Sequence, residues 1–127
     1  MNWYLVVSGL LAAFCTVGHL TIGRKTFLKP MMEATFDEVP KKVMHCVFHF
    51  ITIDFVLATV VLLAAGFGLT FGHHVRLLVL FIAVHFLLYG IVQILMVLSS
   101  GIRGGLSKIF QWLVFLLVAI FAFLGGM

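Results

Sequence analysis

The chain has 127 residues, 64% of them hydrophobic and only 9% charged, with a mean hydropathy of +1.28. Soluble domains carry about 25% charged residues, so this composition excludes an ordinary soluble domain and places the chain in the membrane class. The net charge of +4 sits in the joints between apolar runs, where it sets orientation and meets anionic lipid rather than nucleic acid.

A transmembrane helix takes about 20 apolar residues, and four such runs follow one another. The first spans 3–22, with Trp3 and Tyr4 as an interfacial aromatic anchor. Ser8, Ala12, Cys15, His19 and Gly23 share one face at helical spacing, small enough to let a neighbouring helix approach. The loop 24–42 holds Arg24, Lys25, Lys29, Lys41 and Lys42. Pro30 and Pro40 bracket a segment in which Met32, Phe36 and Val39 form an i, i+4, i+7 stripe, which predicts a short interfacial amphipathic helix.

The second span covers 43–69, and glycines including Gly68 and Gly72 mark the turn after it. The third covers 74–99. A second glycine-rich turn around Arg103 leads into the fourth span, 106–124. The expected architecture is all-α: a polytopic membrane protein forming a four-helix transmembrane bundle as a single domain. Loops one and three carry seven basic residues against Arg76 in the opposite loop, which predicts cytoplasmic loops one and three and both termini outside.

Chemistry concentrates in the stretch from Met44 to Asp54. Ionisable groups in hydrocarbon are costly and are usually retained because they bind, pair or carry something. His45 and His49 stand four residues apart on one helix face, with Thr52 beside them, the spacing by which HxxxH holds Zn, Cu or Fe. By depth, His19, His85, Tyr89 and Gln93 come from neighbouring spans to the same half of the membrane. His19, His45, His49 and His85 are therefore candidate ligands of a metal ion or of haem b, the latter needing two histidines from different helices. Asp54 and His85 both fall near the midplane. Asp54 is turned about 140° from His49 at ~100° per residue, so it is expected to pair with another span or a neighbouring subunit. Tyr89, Gln93, Thr52 and Asp54 complete the polar set. His73 and His74 read as a solvated interfacial pair, and Cys15 and Cys46, without a CxxC, as small apolar residues.

No HExxH, nucleotide-binding loop or nucleophile elbow occurs, so hydrolytic and phosphoryl chemistry have no visible machinery, while a redox role stays open. The layout Gly18-His19, Gly23-Arg24 and Lys29-Pro30-Met31-Met32, followed by Phe48-His49-Phe50-Ile51-Thr52, resembles that of small four-span bacterial inner-membrane proteins of unassigned function. The likeness covers the first half of the chain. It implies a bacterial four-helix protein and no ligand. The functional expectation is metal or haem binding for metal handling or electron transfer. The alternatives are a non-catalytic accessory or assembly subunit of a larger membrane complex, and an oligomeric proton- or ion-coupled transporter.

Overall fold

A computed structural model describes residues 1–69 and 74–127. Gly72 and His73 of the sequence reading lie outside these. Among the described residues the chain is all-α, without strands. Helix α1 runs Trp3–Glu33, α2 Glu38–Gly66 and α3 Val75–Ser99. A short α4, Gly105–Lys108, precedes α5, Gln111–Gly126. The first three are long and apolar enough to cross a membrane, and α5 is a shorter apolar helix of 16 residues.

The first loop is shorter than expected, and the short helix anticipated between Pro30 and Pro40 is only the turn Lys29–Glu33, continuous with the helix before it. Helix α1 thus continues for 31 residues, about 45 Å at ~1.5 Å per residue, past the position where charge suggests a loop. From His19 to Leu28 it widens to π-helical geometry, and the N–H of Lys29 reaches back five residues to the carbonyl of Arg24. Pro30 stands where α geometry resumes, and Pro40 in the first turn of α2, positions that need no backbone N–H donor. Between them only 34–37 turn. Lys41 secures this turn: its ammonium is 3.0 Å from Glu38 Oε1 and 5.5 Å from the centre of the Phe36 ring.

Helix α1 lies between α2 and α5, and α3 packs against α5. Helices α2 and α3, although consecutive, meet least closely of the neighbouring pairs. Small residues explain the close seams. The Ser8 hydroxyl donates to the carbonyl of Val118 on α5 at 2.8 Å, fully buried. A Cβ at Gly66 would sit 2.8 Å from the backbone nitrogen of Val6, and one at Gly9 2.7 Å from Leu63 Cδ2. The loose seam has the opposite cause. Phe55 of α2 and Phe86 of α3, both buried, have ring centres 5.8 Å apart, and Phe115 of α5 and Tyr89 complete an aromatic centre. Rings of this size keep backbones apart.

The outer surface is apolar. Phe50, Phe81 and Leu95 are each 60% or more exposed, as side chains facing hydrocarbon are. The Asn2 N–H donates to Gly66 O and its side-chain amide to Gly125 O, gathering the start of α1 and the ends of α2 and α5 at one end. At the opposite end stand Arg24, Lys25, Lys29, Lys41, Lys42, Arg103 and Lys108.

Candidate functional site

The four candidate histidines occupy three separate places. His45 and His49 form a pair on α2 with their Nε2 atoms 3.2 Å apart, where one ring N–H donates to the other ring's lone pair. His45 is half-buried beside Thr21, Arg24 and Lys25 of α1, and His49 is exposed. The buried stripe of α2 is Phe55, Ala58, Leu62 and Gly66, and i, i+4 spacing alone does not show which face of a helix looks inward.

His19 of α1 donates its Nε2–H to the carbonyl of Phe48 at 2.9 Å and stacks on the Phe48 ring with centres 3.8 Å apart. The Thr52 hydroxyl donates to the same carbonyl at 3.0 Å, so Thr52 serves its own helix rather than a ligand. His85 of α3 donates to Asp54 Oδ2 of α2 at 3.1 Å, joining the two helices that touch least. Asp54 thus pairs with another span, as its position off the histidine face suggests. Tyr89 lies against His85 with ring centres 4.4 Å apart, and its phenol is close to Asp54. Among the described residues no three His, Cys, Asp or Glu side chains come together as a metal site. Nor do the described residues bring His19, His45, His49 and His85 into one inward-facing cluster.

Between α1 and α5 lies a partly open hollow of about 350 Å³ toward the basic end. The π-helical stretch forms one wall through His19, Ile22, Gly23, Thr26 and Phe27, and α5 forms the facing wall. Phe55 closes it toward the aromatic centre, and Lys108 of α4 stands among its lining residues. Gln93 donates to Gln111 at 3.3 Å there, which leaves the buried Gln93 Oε1 without a partner. A π-helical segment is rare, and such segments recur at functional sites. A mostly apolar hollow with a few convergent polar groups is the usual form of a small-molecule site.

The small-residue stripe of α1 therefore divides. Ser8 and Ala12 are fully buried in helix contacts, as expected, whereas Cys15, His19 and Gly23 face the cavity. Sequence reasoning missed Gly18 and Lys108 as members of one site, whereas Gln111 was expected to enter the same half of the membrane as Gln93. The available signal was Gly18 and Gly23 spaced five apart beside His19. No protein-family model matches the chain, and neither a curated protein nor a solved structure is similar to it.

Proposed function

We propose that the chain is a four-span protein of the bacterial inner membrane that binds an amphipathic, lipid-like molecule between α1 and α5. In this reading α5, together with α4, supplies the fourth crossing, and the two basic loops face the cytoplasm. The observation that carries it is the cavity of about 350 Å³ walled by a π-helical stretch. An acyl or prenyl chain suits Ile22, Phe27, Ile51, Phe55 and Phe115. A headgroup at the basic end meets Lys108 and the amides of Gln93 and Gln111, where anionic headgroups are favoured. The unpartnered Gln93 Oε1 gives a ligand hydroxyl or amide N–H an acceptor.

Gly18 offers the test. A Cβ there meets nothing within 4 Å, and one at Gly23 meets only ordinary contacts of 3.6 Å or more. Both glycines line the hollow and accept a Cβ without a clash, so Gly18→Phe and Gly23→Leu place side-chain bulk at its wall. Mass spectrometry of protein purified in mild detergent is expected to find a bound amphipath. Both variants should lose it by about tenfold, together with retention of spin-labelled phosphatidylglycerol. A wild-type chain free of bound amphipath, or variants that retain it fully, would refute the reading.

A second reading rests on the His45–His49 pair. Two nitrogens 2.0–2.1 Å from one tetrahedral ion lie about 3.4 Å apart, close to the observed 3.2 Å. The pair would supply two ligands to Zn or Cu, the others coming from water or a partner. Elemental analysis with His49→Ala decides it: a metal lost in the variant supports this site, and none in the wild type excludes it. Haem fits less well, since His19 and His85 commit their Nε2 atoms to Phe48 and Asp54.

A further inference from the structure

The Asp54–His85 pair has a feature that the cavity does not explain. Asp54 is twelve residues from Gly66 and His85 ten from Val75, so both lie about 15–18 Å from that end at ~1.5 Å per residue. That is the middle of a hydrocarbon layer about 30 Å thick. Their side chains are nevertheless 36% and 33% exposed, because the aromatic centre holds α2 and α3 apart. A carboxylate and an imidazole open to lipid at the midplane are among the most costly arrangements in a membrane, and such groups normally face protein or water. The pair also leaves capacity unused. Oδ2 receives His85 and the Tyr89 phenol lies close by, yet a carboxylate has about four lone-pair sites.

We propose that a second copy of this chain covers the α2/α3 seam, the two Asp54–His85 pairs meeting across a two-fold axis along the membrane normal. Three observations favour a second copy over another occupant. First, the patch is self-complementary, carrying one acid and one base side by side. Second, two copies inserted with the same orientation hold their pairs at the same depth, so the axis brings them together without adjustment. Third, the frame is symmetric in character. Phe50 and Leu57 flank Asp54 at i−4 and i+3, and Phe81 and Leu88 flank His85 at the same spacings, all 54–66% exposed. In the dimer each pair meets polar groups of the partner, and a four-group polar centre shielded from lipid replaces two pairs that are each open to it. A lipid tail provides neither donor nor acceptor. The inference does not depend on the cavity's ligand.

Two measurements test it. Single cysteines at Leu57 or Leu88, in a chain with Cys15→Ala and Cys46→Ala, are expected to form disulfide-linked dimers under mild oxidation in native membranes. A cysteine at Leu10, exposed on α1 away from this seam, should not. Failure at both 57 and 88, or equal linkage at 10, overturns the proposal. Native mass spectrometry from nanodiscs should show a dimer that the double variant Asp54→Leu/His85→Leu weakens at least about tenfold. A wild-type monomer, or a variant dimer of undiminished strength, likewise overturns it. The cysteine measurement leaves both pair residues in place, so a folding defect of the double variant does not decide the matter.

Discussion

At the scale of the residue, the contacts that order this chain are mostly between a side chain and a main-chain carbonyl. His19 and Thr52 share the carbonyl of Phe48, and Ser8 takes that of Val118. This limited what could be read from the sequence. His19 stands out by type, but its acceptor is a group that every residue carries, so no pattern announces it. Asp54 was different: its angular offset from His49 already excluded the histidine face and pointed to another span or a neighbouring subunit, without singling out His85. Two expectations belong here. His19→Phe keeps the stack on Phe48 and loses one hydrogen bond, which should lower stability by roughly 0.6–1 kcal/mol in reversible unfolding from detergent micelles. Gly66→Val should cost more, about 1–3 kcal/mol, because its Cβ would meet the backbone nitrogen of Val6 at 2.8 Å and force α1 from α2. A Gly66→Val chain as stable as the wild type would show that this close approach is not needed.

At the scale of the element, the π-helical stretch of α1 governs most. Arg24, Lys25 and Lys29 mark the end of what lipid tolerates, and the sequence reading ended the helix with them. The backbone obeys another rule: leaving the hydrocarbon removes no hydrogen bond from a helix, so α1 runs on to Glu33. The prolines misled for a related reason. Each stands where no N–H is required, and proline reports that condition without saying which helix it belongs to. The widening itself leaves no periodic mark in ten residues that mix charged and apolar side chains. Deleting Thr26 should return the stretch toward α geometry, narrowing the wall while the flanking residues keep their phase. The expected outcome is loss of bound amphipath with helical content by circular dichroism unchanged. Retained ligand would mean that the wall does not depend on the π geometry.

At the scale of the whole molecule, the four apolar runs and the uneven distribution of charge were legible, because both are sums over many residues. Helix adjacency was not. That α1 sits between α2 and α5, and that consecutive α2 and α3 barely touch, depends on where glycine, serine and phenylalanine meet in three dimensions. The proposed orientation is open to measurement. A reporter active only outside the cytoplasm should be active when fused after Met127 and silent when inserted at Thr35. The reverse result would invert the topology and place the cavity's Lys108 at the outer surface.

The knot at Asn2 has a mechanical consequence. With Gly66 and Gly125 tied to the first residues of α1, and glycine-close packing near that end, the helices resemble tongs joined at the handle. A small angular opening about such a fulcrum moves the far tips most, and the hollow lies toward the tips. A guest could then enter or leave by a slight spreading of the jaws while the joined end stays shut. Cutting the tie with Asn2→Ala should therefore quicken exchange at a hollow that lies at the other end of the bundle.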